Sequence, residues 1–154
     1  MKKCTIFLKS LLVICLVCMS IGCTMVSASD LGLANSKIVE LGSFGSNGEN
    51  ISSSNRARTK NIYKTSEQAF KFESSKAVGM RYAVVGFDAN GKRVLDSGWQ
   101  TGATYTLGKE VVSYRLLFSY TDNRTMTVED TLKIEKSLSI IPASAIDDWE
   151  LPIM

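Results

Sequence analysis

Residues 111–120 alternate between large apolar and polar side chains, and this pattern limits the fold more than any other feature of the chain. Successive side chains of a β-strand point to opposite faces, so a period of two gathers the apolar residues on one face. The other face carries Ser113, Arg115 and Ser119. We therefore predict a long strand with one buried and one wetter face. The predicted buried side chains are those of Val112, Tyr114, Leu116, Phe118 and Tyr120.

Other segments also have the pattern of strands. Residues 80–87 are apolar on both faces and predict a central strand, and the turn sequence of residues 88–91 leads into a returning strand at 92–96. No segment sustains a helical period over three turns. About eight short strands predict an all-β fold, a two-sheet antiparallel β-sandwich of the jelly-roll type. The further strand candidates are residues 38–42, 55–63, 68–73, 104–107 and 131–136.

The segments between the strands predict less regular structure. Residues 43–54 are rich in Gly, Ser and Asn and predict a mobile loop. Thr127 is followed three residues later by Asp130, which is the spacing of a helix N-cap, and predicts one helical turn before the last strand. The tail after Ser139 is expected to be irregular.

The N-terminal segment has the features of an export signal. Lys2, Lys3 and Lys9 form a positive region, and residues 6–21 are mainly apolar. Small residues at 26 and 28 fit a signal peptidase, which predicts cleavage after Ala28 and a secreted, extracellular protein.

Two alternatives to simple secretion remain open. Residues 20–23 resemble a lipobox, in which Cys23 would be lipidated and would anchor the protein to the membrane. The uncharged residues 10–29 are also long enough to span a membrane, although no stop-transfer charges follow them. The predicted organisation is a signal peptide at 1–28, a linker at 29–37, a β-sandwich domain at 38–138 and a tail at 139–154.

Composition restricts the chemistry of the secreted chain. All four cysteines lie within the first 23 residues, and the chain has no histidine. The secreted form would therefore lack a thiol, an imidazole and a disulfide, so we predict neither an enzyme nor a cofactor or metal. The chain has 18 basic and 15 acidic residues, and loss of the three signal lysines leaves 15 of each. A net charge of zero gives no electrostatic reason to expect nucleic acid as a partner.

Seven motifs occur in order along the chain, at residues 48–50, 54–59, 82–91, 97–99, 114–116, 121–123 and 128–130. Together they resemble a known β-sandwich module. That module recurs in phage tail and receptor-binding proteins and in exported proteins of Gram-positive bacteria, and it is similar to carbohydrate-binding jelly rolls and galactose-binding-like domains. The resemblance covers roughly residues 38–138 and implies the fold more than the ligand. The sequence departs from it at residues 40–42, where a Trp ahead of the acidic-Gly step is expected.

Four residues are candidates for ligand binding. Arg56 and Arg58 are two apart on a predicted strand and share a face, where they could donate hydrogen bonds to sugar hydroxyls or a carboxylate. Arg115 has the same chemistry on its own strand. Trp99 follows a hairpin and a glycine, and an exposed Trp at a sheet rim can stack on a sugar. The alternatives are solvated arginines and a Trp that plugs the core.

Carboxylates suggest two weaker possibilities. Asp88 and Asn90 supply oxygen atoms that could bind Ca²⁺, but the turn explains both residues without a metal ion. No pair of acids has a spacing that selects it for glycoside hydrolysis.

We therefore predict an exported, non-enzymatic binding module that recognises glycans or a cell-surface partner. One alternative is a surface protein in which the sandwich face or an edge strand pairs with another chain. A carboxylate-based hydrolase is the other.

Overall fold

In the computed structural model, which describes residues 35–145, the chain forms ten β-strands, one α-helix and a 3-10 helix at Ala143–Ala145. The helix is α1 (Val128–Ser137). The predicted signal peptide with Ala28 and Cys23 lies outside the described residues, as do residues 29–34 of the linker and 146–154 of the tail. The strands are β1 (Val39–Leu41), β2 (Ser43–Phe44), β3 (Asn50–Ile51), β4 (Ala57–Thr59), β5 (Tyr63–Lys64), β6 (Gln68–Phe72), β7 (Met80–Phe87), β8 (Arg93–Asp96), β9 (Ser113–Tyr120) and β10 (Leu138–Pro142).

Six strands form the main sheet, in the order β1, β4, β9, β7, β8, with β5 also paired to β9. All of these pairings are antiparallel, and β7 and β9 pair along their whole length. The predicted central strand is confirmed, because β7 lies between β8 and β9. The hairpin after it is also confirmed. Its turn closes with a hydrogen bond from the Gly91 N–H to the Asp88 carbonyl at 3.0 Å, and Gly91 has a φ of 75°, which glycine adopts readily.

An aromatic core fills the first face of the main sheet. The ring of Tyr82 lies 5.3 Å from that of Phe70 and 5.6 Å from that of Phe72, so β6 packs directly on β7. β6 pairs with β10 in a separate two-stranded ribbon, and the fully buried Ile134 brings α1 into the same core. Tyr114, Leu116, Phe118 and Tyr120, which the alternation predicts to be buried, all belong to this core, together with Val84 of β7.

The second face of the main sheet is also buried. Leu117 of β9 packs there with Val85 and Phe87 of β7 and with Phe44 of the β2–β3 hairpin. The predicted wetter face of β9 is therefore wrong, because a hairpin that the sequence did not reveal covers it. Val112 also lies outside β9 and is 41% exposed, contrary to the prediction.

The local structure of four segments differs from the prediction. Residues 131–136 belong to α1 rather than to a strand, because the Thr127–Asp130 capping box starts a ten-residue helix instead of one turn. Residues 43–54 contain the β2–β3 hairpin, and residues 139–142 pair with β6. Residues 104–107 form no strand.

The main sheet carries the β6–β10 ribbon on one face and the β2–β3 hairpin on the other. The structure is thus mostly strand, antiparallel and sandwich-like, which confirms the predicted all-β class with ten strands in place of about eight.

Candidate functional site

The four predicted site residues lie on the second face of the main sheet. Arg58 lies between Ala57 and Thr59 of β4, and both of these neighbours are fully buried on or beside the core side. Arg115 lies between Tyr114 and Leu116 of β9, which are fully buried in the same way. Both arginine side chains therefore point to the opposite, second face. Trp99 follows β8 and packs against the apolar cluster of the second face. The structure therefore brings these residues to one side of the sheet, but it divides them into two groups.

Arg58 is committed to the interior. Its side chain is only 10% exposed, and its Nε donates to Glu40 Oε1 at 2.8 Å. Its Nη1 donates to the carbonyl oxygens of Ser43 and Ile51, each at 2.7 Å. These two carbonyls belong to β2 and β3, so Arg58 fastens the hairpin to the sheet rather than facing a ligand.

Arg115 has the same role on the neighbouring strand. It is 6% exposed and donates to Asn50 Oδ1 at 2.8 Å and to the carbonyl of Lys60 at 3.2 Å, and its guanidinium lies 4.3 Å from the ring centroid of Phe44. Burial, and then the charge of Arg58, lower the pKa of Arg115, but a guanidinium stays charged in proteins. Arg115 also donates to the carbonyl of Thr59 and is therefore held between β4 and the hairpin.

Trp99 and Arg56 form the accessible group. Trp99 is half-buried, and the guanidinium carbon of Arg56 lies 5.6 Å from its ring centroid. Arg56 is also half-buried and donates to Ser43 Oγ at 3.1 Å. Trp99 is therefore neither a bare platform nor a core plug, because part of its ring packs on the apolar cluster and part lies beside a cation.

Arg81 also lies beside Trp99, although the sequence pattern does not predict it as a site residue. Its guanidinium carbon lies 4.6 Å from the Trp99 ring centroid, and its Nη2 donates to Asn123 Oδ1 at 2.7 Å. Its Nε is buried, and no acceptor for it lies among residues 35–145. Arg81 has the same parity on β7 as Ala83 and Val85, so the sequence places it on the second face of the sheet. That placement points to the site only when Trp99 is known to lie beside β7.

A pocket of about 230 Å³, which we call the Trp99 pocket, opens between these residues. Its buried wall is apolar, and its more exposed side includes Arg93 and Asp96. Arg93 is ion-paired with Asp96 and donates to the carbonyl of Gly45 at 3.0 Å. With Arg81 adjacent, the pocket region carries three guanidiniums and one carboxylate, so its field is positive. The buried wall consists of Phe44, Ala83, Val85 and Leu117.

A second and larger groove lies elsewhere, between β6 and the irregular residues 103–109. Its volume is about 760 Å³. Apolar and hydroxyl side chains make up most of its lining, including Tyr105, Leu107 and Thr106. None of the predicted site residues lines it.

Asp88, a candidate Ca²⁺ ligand in the sequence, stabilises the turn after β7. Asp88 Oδ1 accepts hydrogen bonds from the backbone N–H groups of Asn90 and Lys92, each at 2.9 Å. Within residues 35–145, no group of three or more His, Cys, Asp or Glu side chains converges as metal ligands would.

Comparison with other proteins gives no family for this chain: no family model, curated protein or solved structure matches it. The resemblance over residues 38–138 therefore stays a prediction. Among residues 35–145, no helix has the length and apolar character required to cross a membrane.

Proposed function

We propose that this protein is an exported, non-enzymatic binding module and that the Trp99 pocket holds a terminal sugar residue with a negatively charged group. The observation that carries the proposal is the position of Trp99 beside two guanidiniums, those of Arg81 at 4.6 Å and Arg56 at 5.6 Å. Guanidiniums match carboxylates and other oxyanions in geometry and charge, so they would fix the orientation of an anionic glycan.

The shape and lining of the pocket support a small ligand with an apolar side. The volume of about 230 Å³ is below the roughly 300–1,000 Å³ of sites for drug-sized molecules, so it suits one sugar residue better than a longer chain. Leu117, Val85 and the Trp99 ring supply apolar surface against which the C–H face of a sugar can pack.

The same pocket supports binding rather than hydrolysis. Retaining and inverting glycosidases use two carboxyl groups across the scissile bond. Among the described residues that line the pocket, Asp96 alone is acidic, and it is ion-paired with Arg93. The lack of histidine in the chain removes the commonest general base.

A glycan array probed with the secreted protein tests the binding proposal. We expect glycans that end in a carboxylated or sulfated sugar to bind, with neutral counterparts at least about tenfold weaker. Arg56→Gln and Arg81→Gln should each weaken this binding by a similar factor, because each removes a guanidinium beside Trp99. Arg124→Gln is the matched control, since Arg124 lies over the ring of Tyr120 and outside the pocket. Equal binding of neutral and anionic glycans, or equal losses in the control, would contradict the proposal.

Export is proposed from the N-terminal sequence. Intact-mass analysis of the secreted protein should give a chain that begins at Ser29. A mature chain that begins with a diacylglycerol-modified Cys23 would instead place the module on the membrane surface, and a retained segment 1–28 would contradict cleavage.

A further inference from the structure

The larger groove runs along the edge of β6 that faces away from β10. The N–H of Glu73 donates to the carbonyl of Ser137 at 2.8 Å, and the N–H of Ala143 donates to the carbonyl of Glu67 at 3.0 Å. Odd-numbered residues of this segment therefore direct their backbone groups toward the β10 side. Because these groups alternate in direction along an antiparallel strand, the even-numbered residues of β6 direct theirs toward the groove.

Phe70 occupies the middle of this second edge. On one side of it, the N–H of Phe72 donates to the carbonyl of Ala103 at 2.7 Å. On the other side, the Tyr114 hydroxyl donates to the carbonyl of Gln68 at 3.4 Å. Among residues 35–145, no backbone group bonds to the N–H or the carbonyl of Phe70 on this side. A donor and an acceptor of one strand residue are thus left at the base of the groove.

The groove has a positively charged lining residue. Lys109 lines it, and none of its described lining residues is acidic. Lys109 is exposed at one end of the irregular segment. Tyr105, Leu107 and Ile141 also line the groove and are half-buried, so part of their apolar surface faces it.

We propose that this groove binds an extended, acidic peptide segment of a partner protein, which adds a strand to β6. An extended backbone offers an N–H and a C=O at the spacing that one strand residue requires, so it can pair with both groups of Phe70. Alternate side chains of the peptide would pack on Leu107 and Ile141, and its carboxylates would face Lys109. This inference is independent of the Trp99 pocket, which lies on the second face of the main sheet.

Selection from a displayed library of random peptides about ten residues long provides the test, with the secreted protein as bait. We expect enriched peptides to be acidic and to alternate apolar and polar residues. In a synthetic copy of an enriched peptide, N-methylation at alternate positions should abolish binding for one parity and be tolerated for the other, because only one edge of an added strand pairs with β6. Bound peptide should shift the amide NMR signals of Phe70 and of residues 104–109.

Matched variants locate the site. Lys109→Glu reverses a charge in the groove, and Thr106→Trp fills part of it, so each should weaken peptide binding by at least about tenfold. Lys136→Glu and Thr125→Trp make the same changes at exposed positions outside the groove and should leave binding unchanged. None of the four should alter glycan binding at the Trp99 pocket, so failure of one proposal would be distinguishable from failure of the other.

Three outcomes would overturn the inference. The first is that no acidic peptide is enriched. The second is that both parities of N-methylation are tolerated, which would exclude strand addition. The third is that the peptide shifts amide signals only outside residues 68–72 and 104–109.

Discussion

The guanidinium of Arg81 lies over the ring of Trp99, with its central carbon 4.6 Å from the ring centroid. The two residues belong to different segments, which are joined next to this contact. The N–H of Tyr82 donates to the Gln100 carbonyl at 3.0 Å, and the N–H of Gln100 donates to the Tyr82 carbonyl at 2.6 Å. Because this bridge fixes the residues adjacent to both partners, the cation and the ring are held together in the free protein, which would reduce the entropy lost on binding the proposed ligand.

Trp99→Ala should lower both stability and glycan binding. The ring is half-buried against Val85 and Leu117, so its loss should cost about 1–3 kcal/mol of unfolding free energy rather than the full cost of a core aromatic residue. Urea unfolding and glycan affinity, measured on the same variant, test both effects. A stability loss above about 4 kcal/mol would identify Trp99 as a core plug instead.

Leu116→Ala should destabilise the protein by about 2–5 kcal/mol, because Leu116 is fully buried in the aromatic core on the first face of the main sheet. Val112→Ala is the control just before the same strand, and since Val112 is 41% exposed it should cost less than about 0.5 kcal/mol. Denaturant unfolding of both variants measures the difference. Similar losses for the two would show that the register of β9 is wrong.

Arg58→Met should loosen the β2–β3 hairpin. The change leaves the carbonyls of Ser43 and Ile51 without their buried donor, which should cost about 1–3 kcal/mol. Hydrogen exchange of residues 43–51 should become faster, while exchange in β7 changes less.

Gly42→Ala should act on the same anchor without removing the arginine. Gly42 has a φ of 136°, and an added Cβ would clash with the guanidinium of Arg58 and lie 2.9 Å from the carbonyl oxygen of Ile51. Unchanged exchange of the hairpin in both variants would contradict this account of Arg58.

Asp130 should make the free energy of unfolding depend on pH in the acidic range. Burial by itself raises the pKa of Asp130, but hydrogen bonds from Lys133, Tyr120 and Thr127 outweigh burial and lower it to about 2. The unfolded chain has an ordinary Asp pKa near 3.9, so the native state binds this proton less readily. The contribution of Asp130 is therefore complete above the unfolded value and is lost as pH falls from about 5 toward 2.

Asp130→Asn should consequently be less stable than the parent at pH 7 and should lose less stability on acidification. Thermal unfolding at pH 7 and at pH 3 gives both values. Asp122→Asn is a suitable control because that side chain is 59% exposed. If Asp130→Asn loses as much stability between pH 7 and pH 3 as the parent does, the hydrogen bonds to the Asp130 carboxylate do not have this role.

Sequence alone determined the features that depend on near neighbours. Alternation identified β9 and the placement of Arg56 with Arg58 on one face, since the direction of a side chain in a strand depends only on parity. A short run that is apolar on both faces, followed by a turn, identified β7. The turn at Gly91 and the N-cap at Thr127 were recognised because short-range hydrogen bonds create them. The capping box did not reveal the length of α1, because Ile134 stabilises the helix through contact with the distant main sheet.

Which segments pack on each face of the main sheet depends on the tertiary structure. The wetter face of β9 is buried because a hairpin from residues 43–51 folds over it, and no local pattern around Arg115 records that contact. Arg58 and Arg115 donate hydrogen bonds to this hairpin and are buried beneath it, whereas Arg56 lies beside Trp99. Arg81 joined the site only because the Gln100–Tyr82 bridge places Trp99 next to β7. Parity is a property of the strand itself, whereas burial and proximity depend on segments that are distant in the chain.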